Sequence, residues 1–195
     1  MRSHSAITSP DYHHFKSIPW CAAHLEEKGD TLIDVAPGRL SKRNLEDYLF
    51  SRTFNTKDTI PAFLAIYDLP PPNTTSSTPS SSSSLLRVLV SLSETLCGFP
   101  STVHGGIVAT ILDEVTGMFF PINKQRGALP NTPFMTASLL TTFIRPVPGP
   151  GTFLCRARID RIEGRKVFVV GTIEDEAGTV LAKGDALFVA IREKL

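Results

Sequence analysis

Cysteine is scarce and badly spaced for cross-linking: Cys21, Cys97 and Cys155 are the only three in 195 residues, with no C-x-x-C. This argues against a disulfide framework or a zinc knuckle and suits a reducing compartment. An excess of one charge is missing too. Twenty Lys and Arg against nineteen Asp and Glu leave a formal +1, too little field to hold a polyanion, so nucleic acid is not the expected partner. No apolar run approaches about 18 residues, and the opening residues hold no signal-peptide core, so neither a membrane span nor secretion is expected. Asn73-Thr74-Thr75 then goes unused as a glycosylation acceptor. Phosphate-cradling and nucleophile-elbow patterns are absent: there is no G-x-x-x-x-G-K-[ST], G-x-G-x-x-G or G-x-S-x-G. An intracellular chain is expected, cytoplasmic first, with mitochondria or peroxisomes as alternatives. The terminal Glu193-Lys194-Leu195 departs from the Ser-Lys-Leu peroxisomal signal at its first residue.

What is present is enough apolar side chain, 42%, for one sizeable core. Residues 1–58 carry helical signals, Trp20 to Lys28 after Pro19 and Lys42 to Phe54 after Ser41, and read as a helical extension. Residues 59–195 read as the main domain. In it, Ile60 to Leu69 is a strand, and residues 70–84 are a proline- and serine-rich loop insertion that cannot bury apolar surface. Leu86, Val88, Val90 and Leu92 then resume alternation, as a partner strand requires. Val103 to Pro121 is apolar nearly all round and predicts a buried helix about 27 Å long. Four segments rich in Val, Ile, Phe and Thr follow, 134–144, 152–162, 166–174 and 179–191, joined by short turns. The pattern is α+β: an antiparallel sheet curled around one long helix.

The chemistry gathers on that helix. His104-Gly105-Gly106 opens it after Pro100-Ser101-Thr102; two glycines there permit close approach and leave first-turn amides clear at the positive end of the helix dipole, where an oxyanion can be held. Their plainer use is relief of crowding against a strand. Asp113 is the first carboxylate on the rod and shares a small, polar stripe with Thr110 and Gly117. A carboxylate so placed can act as general base or nucleophile, whereas its neighbour Glu114 reads as an ordinary solvated position. Gly105 and Asp113 are eight residues apart, about 12 Å along a helix, so they cannot touch one carbonyl. If both act on one substrate, the amide and the carboxylate come from different subunits, and the protein is at least a dimer. A His104–Asp113 dyad within one chain fails by the same arithmetic. Cys97 reads as a strand-end thiol rather than a nucleophile.

His104-Gly105-Gly106, Asp113, Phe134-Met135-Thr136-Ala137-Ser138 and Phe143-Ile144-Arg145-Pro146, in that order and spacing, resemble the hotdog-fold thioesterases of the phenylacetate-degradation and 4-hydroxybenzoyl-CoA thioesterase-like group over residues 60–195. The lead-in Pro19-Trp20-Cys21 resembles the eukaryotic subgroup with an N-terminal helical extension. The resemblance implies acyl-CoA hydrolysis at a subunit interface in a homodimer or homotetramer, with no metal and no organic cofactor beyond the coenzyme A of the substrate. By the same resemblance, Gly105 supplies the oxyanion amide, Asp113 is base or nucleophile, Thr136 positions the lytic water and His104 shapes the site by hydrogen bonding. Gly106 belongs to the substrate-binding turn, and Arg145, Arg156 and Arg158 are candidates for the nucleotide phosphates. One departure stands out: some members carry Asn six residues before the His, where this chain has Gly98, and an oxyanion contact of that kind is worth about 10²-fold. The rival readings are a non-catalytic acyl-CoA-binding hotdog protein and, third, an enoyl-CoA hydratase.

Overall fold

Alternating apolar residues build the sheet that dominates the chain. In a computed structural model the described residues are 4–26, 31–42, 46–68, 85–125, 129 and 131–191. Seven strands pair antiparallel in the order β1-β2-β3-β7-β8-β9-β6: β1 (Thr31–Val35), β2 (Ala62–Asp68), β3 (Leu85–Leu92), β6 (Phe134–Phe143), β7 (Gly151–Glu163), β8 (Lys166–Glu174) and β9 (Val180–Ala190). A small hairpin, β4 (Cys97–Phe99) with β5 (Thr102–Val103), stands apart. Gly164 and Gly178 take positive φ, 57° and 77°, in the turns after β7 and β8; a side chain in that conformation is strained, so these glycines fix the two tight reversals.

β2 and β3 are buried on both faces, which is why apolar residues such as Leu64, Ile66 and Leu89 also occupy positions between those that face the main core. Phe63, Ala65, Leu86, Val88 and Val90 meet the main core, while Leu64, Ile66 and Leu89 meet a second cluster with Tyr12, Phe15, Cys21 and Leu25. Those last four come from α2 (Pro10–Lys16) and α3 (Pro19–Leu25), which follow a single turn of helix, α1 (His4–Ile7). Ser9 caps α2, its hydroxyl accepting from the Tyr12 amide at 3.1 Å. The helical reading of this part of the chain needs two corrections. Thr31–Val35 is a strand that pairs with β2 as the edge of the sheet, and Lys42 to Phe54 forms no long helix: its described part holds a π-turn over Leu49–Thr53. The proline and serine tract and the final Glu193-Lys194-Leu195 lie outside the described residues.

α4 (Gly105–Gly117) lies across one face of the sheet. Small residues make its seat: Ala157, Gly171 and Gly184 stand side by side on β7, β8 and β9. A Cβ on Gly171 would stand 2.9 Å from Thr116 Cγ2, and one on Gly184 would stand 3.2 Å from Leu112 Cβ. Leu112 is fully buried there, a position where truncation to Ala costs about 2–5 kcal/mol. The single rod expected from Val103 to Pro121 is two helices, α4 and α5 (Phe119–Gln125). Pro121 explains the break, because it has no N–H for the carbonyl of Gly117 and so cannot continue α4. Only one face of α4 is covered: Val108, Ile111, Leu112, Val115 and Thr116 are buried, while Gly106 is exposed and Asp113, Glu114 and Gly117 are half-buried. No helix among the described residues is long and apolar enough to cross a membrane.

Candidate active site

His104 organises the first turn of α4. Its own amide donates to the Leu96 carbonyl at 2.9 Å, its carbonyl accepts from Ile107 at 2.9 Å, and its ring Nδ1 accepts from the Gly106 amide at 2.9 Å. Acceptance at Nδ1 requires that nitrogen to be unprotonated, so the ring hydrogen sits on Nε2. A helix leaves four amides without intrahelical partners at its start. Three of them are satisfied here, and the Gly105 N–H has no acceptor among the described residues. It borders a cavity of about 420 Å³ lined by Thr102, Val108, Phe143, Arg145 and Val147. Phe143 lies close over Gly105, where a Cβ would stand 3.3 Å from its Cζ.

Asp113 faces a different cavity, of about 350 Å³, shared with Glu114, Gly117, Phe134, Thr136 and Phe188. The hydroxyl of Thr136 on β6 donates to Asp113 Oδ1 at 2.9 Å, a charge-assisted bond that fixes the rotamer of the carboxylate. Two of the expected residues are thus in contact, and Gly105 with Arg145 forms a second pair in the other cavity. The chain does not bring the two pairs together. Of the stripe around Asp113, Gly117 lines the cavity, while Thr110 turns its hydroxyl back to the Gly106 carbonyl at 2.8 Å.

Glu114 overturns the expectation of a solvated position. It lines the Asp113 cavity, and burial, reinforced by the charges of Asp47 and Asp113 and opposed by Lys42, raises its carboxyl pKa to about 7. The signal for this lies in Pro37, Gly38, Lys42, Glu46 and Asp47, which line one side of the cavity, and no local pattern around Glu114 carries it. Gly98 also reads differently in three dimensions. A Cβ there would stand 2.5 Å from His104 Cδ2 and 3.1 Å from its Cγ, so the His104 ring occupies the space that an Asn would need.

Arg156 and Arg158 alternate with the core residues Cys155 and Ala157 and therefore point to the sheet face opposite α4. Arg156 is held by Glu174 at 2.9 Å, itself bonded by Thr172, and Arg158 lies 3.4 Å from Asp160. Arg145 has no ion-pair partner among the described residues and sits beside Gly105. The cysteines are quiet: all three are free, and burial pushes the thiol of Cys21 up to about 12 and raises that of Cys155 as well. Cys97 is half-buried, with its Sγ against Gly149.

A long antiparallel sheet laid over a helix, with small residues and a carboxylate along the helix's uncovered side, defines the hotdog class of α+β proteins. A putative thioesterase structure from Lactococcus lactis shares this fold at 15% identity and a TM-score of 0.50, covering 57% of this chain and 84% of that one. The thioesterase superfamily pattern matches residues 101–182. Verlamelin biosynthesis protein B of Lecanicillium is 32% identical over 178 residues, covering 80% of this chain and 75% of that protein. Acyl-coenzyme A thioesterase THEM4 of Mus musculus is 35% identical over 97 residues, covering 49% of this chain and 39% of that one. The chain belongs to the thioesterase superfamily.

Proposed function

We propose that this protein hydrolyses acyl-CoA thioesters to the free acid and coenzyme A at sites shared between two subunits. The observation that carries the reading is the Asp113 carboxylate, fixed by Thr136 at a cavity wall and set about 12 Å along α4 from the uncommitted Gly105 amide. Asp113 takes a proton from water as the water oxygen attacks the thioester carbonyl carbon. Direct attack by the carboxylate, followed by hydrolysis of the anhydride, is the covalent variant. The carbonyl oxygen becomes an oxyanion that the Gly105 N–H stabilises at the positive end of α4. When the oxyanion collapses, the carbon–sulfur bond breaks and the coenzyme A thiolate takes up the proton. His104 contributes by holding the Gly106 amide, which leaves Gly105 as the free donor. Arg145 is the phosphate contact this geometry favours, since Arg156 and Arg158 would meet coenzyme A only from the outer face. Residues 59–195 carry this machinery, and residues 1–58 add the edge strand β1 and a cavity wall.

The edge of the sheet supports a shared site. Among the described residues β6 pairs only with β9, and Met135, Leu140, Phe143 and Ile144 on or beside it are 62%, 66%, 57% and 50% exposed. Thr136 lies near the start of β6, and Phe143 to Arg145 lie at its end. Antiparallel pairing of β6 with its copy sets the Asp113 cavity of one subunit beside the Gly105 cavity of the other, with a dimer of dimers as the larger assembly.

A thiol-release assay over short, medium, long and aromatic acyl-CoAs tests the reading. Asp113→Asn is expected to lose at least about 10²-fold in kcat, and turnover by that variant near the wild-type level refutes it. Gly105→Pro removes the single N–H at a helix position that tolerates proline and is expected to be equally damaged. Mixed after unfolding and refolding together, the two inactive variants form hybrids with one intact site, which restores about one quarter of wild-type activity. No recovery refutes the shared site. Saturable acyl-CoA binding with no turnover by the wild type supports the binding-protein reading instead.

A further inference from the structure

One side of the Asp113 cavity comes from the amino-terminal segment: Pro37, Gly38, Lys42, Glu46 and Asp47 all line it. Two anchors hold this wall. The first is Arg39, a buried guanidinium whose Nε donates to Asp11 Oδ2 on α2 at 3.4 Å and whose Nη1 donates to the Phe54 carbonyl at 3.4 Å. The second is a close approach between Gly38 and Glu114. A Cβ on Gly38 would overlap Glu114 Oε1 and stand 3.2 Å from its Cδ. Gly38 is not among the glycines with positive φ, so its backbone would accept any residue. What excludes a side chain is the Glu114 carboxyl, with Phe50 Cβ a distant second at 3.3 Å.

We propose that Glu114 is a specificity-determining residue: its carboxyl seats the Gly38 turn and so sets how far the amino-terminal wall stands from Asp113. The inference rests on the acyl-CoA reading above and names the substrate class as short to medium, uncharged acyl groups. Size gives the first limit on the acyl end that this subunit's cavity receives, since about 350 Å³ lies near the lower end of ligand cavities, which run from about 300 to 1,000 Å³. Charge gives the second. Carboxyl groups in the lining outnumber ammonium groups, with Glu46, Asp47, Asp113 and Glu114 against Lys42 and Lys124. Lys42 is already bound to Glu46 at 2.9 Å and to Asp47 at 2.7 Å. An acyl tail ending in a carboxylate meets repulsion there. Lys124, Phe120 and Phe134 also line the cavity, with Lys124 over the Phe134 ring, 5.4 Å from its centroid, and the Phe120 and Phe134 rings stacked.

The test is a kcat and KM profile on the full chain, from acetyl- to palmitoyl-CoA with succinyl-CoA added, for wild type, Gly38→Ala, Glu114→Ala and the double variant. The wild type is expected to prefer short to medium chains and to use succinyl-CoA about tenfold less well than butyryl-CoA. Glu114→Ala moves the optimum to longer chains through KM. Gly38→Ala loses about tenfold in kcat/KM, and adding Glu114→Ala recovers most of that loss because the clash is gone. Arg39→Lys, which frees the wall at its other anchor, shifts the optimum in the same direction as Glu114→Ala and covers the case in which Gly38→Ala does not fold. One chain-length profile shared by all folded variants, or losses that multiply in the double variant, overturns the proposal while leaving wild-type turnover intact. Absence of turnover by the wild type on every thioester refutes the acyl-CoA reading itself, and this inference falls with it.

Discussion

Replacing Glu114 by Gln should make the protein more stable at pH 8 and change little at pH 4.5. The carboxyl has its ordinary value of 4.5 in the unfolded chain and about 7 when folded, because burial and then Asp47 and Asp113 disfavour its charge. A raised acid holds its proton longer in the native state, so stability is full below pH 4.5 and falls as pH rises through 7, where the fold must carry the buried charge. The difference of 2.5 units corresponds to at most about 3 kcal/mol at 1.36 kcal/mol per unit. Water reaches this half-buried group, which brings the expected effect down to about 1–2 kcal/mol. Gln keeps the shape and has no charge to lose, so the gap between variant and wild type should open between pH 5 and pH 8 and then level off. Urea unfolding followed by circular dichroism, with both proteins at each pH, gives that gap by linear extrapolation. A stability difference that is the same at pH 5 and pH 8 would refute the electrostatic account of the cavity.

Two further outcomes follow from single contacts. Thr136→Val removes the hydroxyl that donates to Asp113 Oδ1 while keeping volume, so kcat should fall about 10- to 100-fold with KM nearly unchanged; a KM effect alone would place Thr136 in binding. Gly98→Asn should cost about 1–3 kcal/mol, because its Cβ meets the His104 ring. His104→Ala costs about 1 kcal/mol as a lost cap. The double variant should be more stable than the sum of the two losses, and simple additivity in a denaturation cycle would show that the ring does not fill that space.

Strands buried chiefly on one face were legible from their two-residue period, and β8 spans the same residues, Lys166–Glu174, in sequence and in structure. The helix was legible in kind and too long in extent. Apolar composition runs on through Phe119 and Phe120, whereas the hydrogen-bond ladder stops where Pro121 has no N–H to give. β1 was missed because Thr31–Val35 is short and follows helical signals, and only its pairing with β2 makes it a strand. At the site, the Asp113–Thr136 pair was reached through ordered motifs and not through local pattern, since the two residues lie on different elements. Glu114 was misread for a related reason. Its environment is made by Gly38, Lys42 and Asp47, some seventy residues earlier, and neighbouring sequence has no means of announcing a contact at that range.

The apolar composition of α4 and the exposed edge of β6 pose the same physical question. A helix this rich in apolar residues asks for cover, yet the sheet covers only the face bearing Val108, Ile111, Leu112 and Val115 and leaves open the small, polar side with Gly106, Thr110, Asp113 and Gly117. An edge strand with Met135, Leu140 and Phe143 exposed is a site for pairing unless something blunts it. Fully burying these three and Ile144, which lies beside them, contributes about 1.5–3 kcal/mol each, and only part of each is exposed, so the gain is comparable to the cost of association and does not settle the matter alone. In the proposed dimer, main-chain bonds along the free edge of β6 would supply the remainder, as in strand addition generally. The proposed arrangement would also bring a second α4 toward the uncovered side of the first, and toward Asp113 a Gly105 amide that has no acceptor among the described residues. On the proposed reading, assembly and catalysis would depend on the same surface, so a subunit kept apart would have both half-sites and no complete one.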